Sequence, residues 1–118
     1  ILLVDDNNLN IKVASRLLST YKMQIDTCLS GFECIDKITA GEKYDLILLD
    51  DMMPKMSGVE TLQKLKQMES FNIPTVALTA NAIAGMKEKY LADGFDDYLS
   101  KPIEKPELNR VIEKFLNK

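Results

Sequence analysis

Three near-continuous aliphatic runs limit what this chain can fold into more than any other feature: ILLV at residues 1–4, LILL at 46–49 and TVAL at 75–78. A strand with one wet face would show a polar residue at every second position, so runs like these read as strands covered on both faces. Two weaker runs, within MQIDTCL and DDYLS, read as sheet edges. The expected strands are Ile1 to Val4, Gln24 to Cys28, Tyr44 to Leu49, Thr75 to Leu78 and Asp97 to Leu99, with helical segments between them. Regular alternation of this kind predicts βαβ units and a parallel sheet. With 118 residues, 46% of them hydrophobic, the chain is expected to form one domain over 1–118 around one sheet.

The helix starts have local causes. Ser30 with Glu33, and Ser57 with Glu60, match the S-x-x-E capping box after the second and third strands. In the last helix Leu108, Val111, Ile112, Phe115 and Leu116 form one apolar stripe, with Pro106 near the first turn. The first helix is expected to bury Leu9, Val13, Leu17 and Tyr21. The fourth, around 82–92, offers only Ile83, Met86, Tyr90 and Leu91 as large apolar groups and is expected to be the least firmly held.

Composition removes several classes of function. Histidine is absent, which excludes a Ser-His-Asp triad, a histidine metal ligand and a phosphohistidine donor within this chain. Cys28 and Cys34 lack a CxxC spacing, so two buried reduced thiols are expected rather than zinc or redox chemistry. The net charge of −3, with lysines scattered among acids, offers no footprint for nucleic acid. No apolar run approaches the ~20 residues of a membrane span, so no membrane contact and a cytoplasmic location are expected.

The polar residues fall at strand ends. Asp5 and Asp6 follow ILLV, Asp50 and Asp51 follow LILL, Thr79 follows TVAL, and Lys101 follows YLS. In an open α/β sheet those ends share one edge, where ligands bind near a reversal of strand order. The second strand supplies nothing comparable, which fits an outer place for it in the order 2-1-3-4-5. Converging carboxylates need a counter-charge, and oxygen ligands without histidine or thiolate suit Mg²⁺. A phosphoryl group would complete that shell, with Lys101 neutralising one oxygen and the Thr79 hydroxyl donating to another. Taken alone, Asp5 and Asp6 would merely end a strand and begin a helix. Side chains alternate along a strand, so of Asp50 and Asp51 only one can face such a site.

The motifs VDDN (4–7), LILLDDMMPKMSG (46–58), ALTANA (77–82) and DDYLSKPI (96–103) resemble those of the receiver domain of two-component response regulators, in order and across essentially the whole chain. The resemblance implies a flavodoxin-like (βα)₅ sandwich and transfer of a phosphoryl group from a phosphohistidine to an aspartate, followed by Mg²⁺-dependent hydrolysis. The family's acceptor precedes a proline by four residues and a glycine by eight, here Pro54 and Gly58, which implies Asp50. By the same carry-over Asp6 is the principal metal carboxylate, Asp5 acts mostly through water, and the Met52 backbone carbonyl is a further ligand. Thr79 and Lys101 complete the set. Tyr98 matches the aromatic switch, beside the plain alternative of a static half-buried tyrosine. The Lys101–Pro102 bond is expected to be cis, Met52 and Asn81 to influence water access, Ala80 to leave the acceptor open, and Asp51 to face solvent or cap a backbone group.

The style of VDDNNLNIKVASRLL and IPTVALTANAIAGM resembles receivers attached to hybrid sensor histidine kinases, so the chain reads as a module of a longer protein, with a membrane-anchored parent allowed. The implied partners are a histidine kinase or a histidine phosphotransfer domain, docking near the active edge and Asn10, Lys12 and Arg16. A phosphorylation-dependent dimer is compatible with this. The rival enzyme reading is a phosphohydrolase of the haloacid dehalogenase type, which also passes through an aspartyl phosphate. It needs a second acid two residues after the nucleophile, where this chain has Met52. A flavodoxin-like cofactor binder lacks a Gly-rich or Ser/Thr-rich phosphate loop.

Overall fold

The computed structural model describes residues 1–21, 24–68, 71–79, 86–101 and 103–116. Five strands alternate with five helices: β1 (Leu2–Val4), α1 (Asn8–Ser19), β2 (Asp26–Cys28), α2 (Gly31–Thr39), β3 (Ile47–Asp50), α3 (Gly58–Lys66), β4 (Thr75–Thr79), α4 (Met86–Asp93), β5 (Asp97–Ser100) and α5 (Lys105–Leu116). The strands form one parallel sheet in the order β2-β1-β3-β4-β5. The expected order is therefore the observed one, and β2 and β5 are its edges.

Strand alternation divides the core in two. Leu3, Leu46, Leu48, Val76, Leu78 and Leu99 face α1 and α5, where Ala14, Leu18, Leu108, Val111 and Ile112 meet them. Leu2, Val4, Ile47, Leu49 and Ala77 face α2, α3 and α4, together with Cys34, Leu62, Leu65 and Tyr90. Both sides of the three inner strands are covered, which is why their sequences run apolar without a break.

The first three strands begin later than expected, β1 at Leu2, β2 at Asp26 and β3 at Ile47, and the last three reach further: Asp50, Thr79 and Ser100 are the last residues of β3, β4 and β5. Ser57 forms the full capping box with Glu60, while Ser30 shows only the half in which its side chain accepts from the Glu33 amide. The stripe expected on α1 is corrected. Leu9 is 68% and Val13 43% exposed, and the helix instead buries Ala14 and Leu18, with Ile11, Leu17 and Tyr21 packed at the margin. Residues four apart advance about 40° beyond a full turn, so the series 9, 13, 17, 21 winds around the helix while 11, 14, 18 keeps one face. Helix α5 buries Leu108, Val111 and Ile112 of the stripe read from its sequence, with Phe115 and Leu116 half-buried against the same core. On α4, Tyr90 is buried and Leu91 exposed. Ala80, Asn81, Ile83 and Pro102, with the expected cis bond, lie outside the described residues.

Candidate functional site

The odd–even pattern that sorts the core also sorts the polar residues beyond it. Leu3 and Asp5, Leu48 and Asp50, and Leu99 and Lys101 are pairs two residues apart, so these three polar residues continue the α1/α5 side at the carboxyl edge. Asp51 and Thr79 continue the opposite side, where Ile47, Leu49 and Ala77 face α4. Asp50 thus shares the direction of Leu46 and Leu48 while Asp51 points to the other side, as strand alternation requires.

Lys101 Nζ stands 2.9 Å from Asp50 Oδ1 and 3.6 Å from Asp5 Oδ2. Asp50 Oδ1 also accepts from the Met52 amide at 3.2 Å, and Asp5 Oδ1 from the Asn7 amide at 2.9 Å. Asp5 and Asp50 are each 1% exposed, whereas Asp6 is open to solvent. Burial raises the Asp50 carboxyl to about 6; the hydrogen bond from Lys101 opposes this, and the charge of Asp5 adds to it. Lys101 is shifted upward: burial pulls it down, but its hydrogen bond to Asp50 and the charges of Asp50 and Asp5 outweigh that. One ammonium therefore faces more negative charge than it can neutralise.

Asp5 Oδ2 is a buried oxygen that no hydrogen bond reaches among the described residues. Carboxylate oxygens of Asp5, Asp6 and Asp50 lie within 4.8 Å of one another. An orphaned buried oxygen inside a tight all-oxygen cluster fits a small hard cation. The close approach that builds this corner depends on Gly58, because a Cβ there would lie 2.4 Å from the Asp50 carbonyl oxygen and 2.8 Å from Asp51 Cα.

Thr79 ends β4 next to β3, paired across to Ser100, and its carbonyl accepts from the Lys101 amide at 2.7 Å. Tyr98 is half-buried on β5 and stacks on Tyr90, with ring centroids 6.2 Å apart and planes at 25°. Met52 is 70% exposed beside Asp50.

Asp51 is corrected. It is 9% exposed rather than solvent-facing, and Tyr90 Oη donates to its Oδ2 at 2.9 Å. Tyr90 was legible only as an apolar group on α4. The usable signal was parity, since Asp51 and Thr79 end adjacent strands on the side that α4 covers. Cys28 and Cys34 are buried and unpaired, as expected, and burial pushes both thiols up to about 12.

A groove of about 200 Å³ adjoins the carboxylates, lined by Leu9, Asn10 and Val13 of α1 and by Lys101 and Ile103. Among the described residues, no helix is long and apolar enough to cross a membrane.

Residues 1–113 match the family model of the response regulator receiver domain. The hybrid signal transduction histidine kinase L of Dictyostelium discoideum is 38% identical over 98% of this chain, which spans 7% of that protein's length. The receiver domain of sensor histidine kinase PA1611 from Pseudomonas aeruginosa PAO1, solved with a magnesium ion coordinated in the active site cleft, superposes with a TM-score of 0.85 at 30% identity, covering 99% of this chain and 96% of that one. A chain from the co-crystal structure of a Saccharomyces cerevisiae histidine phosphotransfer signaling protein with the receiver domain of its downstream response regulator gives 0.84 at 26% identity, over 97% of this chain and 86% of that one. The match supports no haloacid dehalogenase reading. A parallel sheet in the order 2-1-3-4-5, carboxylates gathered at its carboxyl edge and a family match over 1–113 have one reading: the chain belongs to the response regulator receiver domain family, the receivers of phosphorelay proteins.

Proposed function

We propose that Asp50 is the phosphoacceptor of this receiver, and that residues 1–118 act as a single phosphorylation switch. The observation that carries the assignment is the position of Asp50 at the end of β3, bonded to Lys101 and grouped with Asp5 and Asp6, while Asp51 turns away to Tyr90. In the transfer, an Asp50 oxygen bonds to phosphorus as the N–P bond to a donor histidine breaks, the imidazole nitrogen keeping the electron pair. Lys101 trades part of its contact with Asp50 for a phosphoryl oxygen, and the Thr79 hydroxyl donates to another.

Asp5, Asp6, Asp50 and the Met52 backbone carbonyl would hold Mg²⁺, with the orphaned Asp5 oxygen supporting the fit. When bound, Mg²⁺ supplies charge neutralisation for the phosphoryl oxygens. Thr79 and Tyr98 then carry the change to the surface of α4, β5 and α5, a population shift between two conformations that is compatible with a phosphorylation-dependent dimer.

On this reading the parent is a hybrid histidine kinase, with this domain cytoplasmic and a membrane-anchored parent allowed, and the partner is a histidine phosphotransfer domain or a histidine kinase. Exposed Leu9 and Val13, beside Asn10, Lys12 and Arg16, support docking on α1 next to the site. Intact-mass and peptide mapping after incubation with acetyl phosphate and Mg²⁺ tests the assignment. One added phosphoryl group is expected on Asp50, absent without Mg²⁺ and in Asp50→Asn but retained in Asp51→Asn. Modification that persists in Asp50→Asn overturns it.

A further inference from the structure

Tyr90 occupies a position that the phosphoryl chemistry leaves unexplained. It is 1% exposed on a helix with few other apolar anchors, and its hydroxyl reaches the edge of the sheet rather than water. Its ring meets Phe95 edge-on at 5.7 Å and stacks on Tyr98 at 6.2 Å. Two aromatic neighbours thus hold the ring in place, and the hydroxyl has little freedom.

A phenol has one proton to give. Asp51, an acceptor when ionised, takes it at 2.9 Å, which leaves the Tyr90 oxygen presenting lone pairs to whatever else approaches. What approaches is Thr79. Burial raises the Tyr90 pKa and a hydrogen bond with Thr79 opposes that rise; because the phenol proton is given to Asp51 at 2.9 Å, Thr79 is the donor in it. Parity explains the meeting, because Asp51 and Thr79 sit side by side at the ends of β3 and β4 on the α4 side of the sheet.

We propose that Tyr90 is a positioning residue for the receiver's switch: with its proton committed to Asp51, it offers the Thr79 hydroxyl a resting acceptor that competes with the phosphoryl group. Phosphorylation draws Thr79 toward Asp50, and the Tyr90 oxygen loses its donor. The stacked Tyr98 and helix α4 then lose one tie to the sheet edge. The proposal rests on Asp50 being the acceptor and on Thr79 following the phosphoryl group. It adds a threonine–tyrosine–aspartate relay on the side of the sheet opposite Lys101.

Tyr90→Phe removes the oxygen and keeps the ring, so the packing against Phe95 and Tyr98 survives. With acetyl phosphate and Mg²⁺, Tyr90→Phe is expected to accelerate phosphorylation about fivefold, the factor given by losing one ordinary hydrogen bond from the resting state. In a Thr79→Val background, which has no hydroxyl to hold, the same change is expected to alter the slower residual rate less than twofold. Equal effects in the two backgrounds, or none in either, overturn the proposal, since a packing role does not depend on the threonine hydroxyl. A second readout needs no phosphorylation: NMR of the Thr79 methyl in the metal-free protein is expected to show a new rotamer population in Tyr90→Phe, and an unchanged rotamer also overturns the proposal. If the wild type takes up no phosphoryl group, or Asp50→Asn still does, the acceptor assignment fails instead, and the methyl measurement alone decides on Tyr90.

Discussion

The two faces of the sheet are packed with different kinds of side chain. Against α1 and α5 the buried hydrophobic groups among the described residues are aliphatic, Leu, Ile, Val and Ala. Against α2, α3 and α4 they include Cys28, Cys34, Met53, Tyr90 and Phe95. Branched aliphatic side chains lock into a few rotamers, whereas an unbranched thioether such as Met53 adapts to a neighbour that moves. The aliphatic face ends in Asp5, Asp50 and Lys101; the mixed face ends in Thr79, Asp51 and Tyr90. A rigid wall thus carries the groups read as reacting, and an adaptable one carries those read as reporting.

The largest expected effect tests the rigid wall. Leu108→Ala, at a fully buried position on α5, is expected to cost about 3 kcal/mol in denaturant unfolding, the transfer loss plus a cavity that its neighbours cannot close. Cys34→Ala, equally buried on α2, is expected to cost only roughly 1 kcal/mol, because one small group is lost and softer neighbours relax into the space. Equal losses would break the contrast.

Next comes Asp50, whose charge the fold holds against burial. Its carboxyl is raised to about 6, above an ordinary value of 3.8, chiefly by desolvation. A group raised on folding adds stability that is fully present below its unfolded pKa and is lost as pH rises through the folded one. Without Mg²⁺, Asp50→Asn is therefore expected to be more stable than wild type at pH 8, by about 2 kcal/mol, with the advantage shrinking as pH falls through 6. Thermal unfolding against pH measures this. A variant less stable than wild type at pH 8 would mean that the bond to Lys101 outweighs the cost of burial.

How much of this division was visible in the sequence depends on which physical rule governs each part. Strand parity is local and strict, so the separation of Asp50 from Asp51 could be read from LILLDD, while the strand order rested on the second strand ending without polar residues. Helical phase is less forgiving: a stripe at steps of four on α1 chose Leu9 and Val13, and small Ala14 carries too weak an apolar signal to reveal the true buried face. Asp51 was misjudged because its partner lies 39 residues away on α4, and no local pattern announces a tyrosine that is buried by its ring and held by its hydroxyl. Tyr98 could be placed as half-buried, but its stacking on Tyr90 depends on how α4 crosses the sheet.

Asp97 provides a smaller effect of opposite sign on the same face as Asp50. It is buried at the start of β5, where it accepts from Arg110 Nη1 at 2.7 Å and Lys114 Nζ at 3.1 Å, tying α5 to the sheet. Burial alone would raise its carboxyl, but the bonds from Arg110, the Tyr98 amide and Lys114 bring it below its ordinary value. A depressed group adds stability above its unfolded pKa that is lost as pH falls through the folded one. Asp97→Asn is expected to cost about 1 kcal/mol at pH 7, and the gap to wild type should close in acid. A gap that stays constant down to pH 2 would assign the loss to packing rather than charge.

The smallest expected change in stability separates the buried part of the aliphatic face from the part that α1 leaves open. Leu9 lies at the rim of the groove beside Lys101, 68% exposed, so Leu9→Ser removes little buried surface and is expected to shift unfolding by less than about 0.5 kcal/mol. Its rate of phosphorylation by acetyl phosphate should also stay near wild type, because an alkyl side chain supplies neither charge nor hydrogen bond to the carboxylates. Transfer from a histidine phosphotransfer protein is a different matter, since an apolar side chain left in water beside the acceptor gains most when a partner covers it. A tenfold or greater slowing of protein-to-protein transfer, with the small-donor rate preserved, would mark this open strip of α1 as the docking face. Equal rates in both assays would place docking elsewhere and leave Leu9 as a solvated end of the helix.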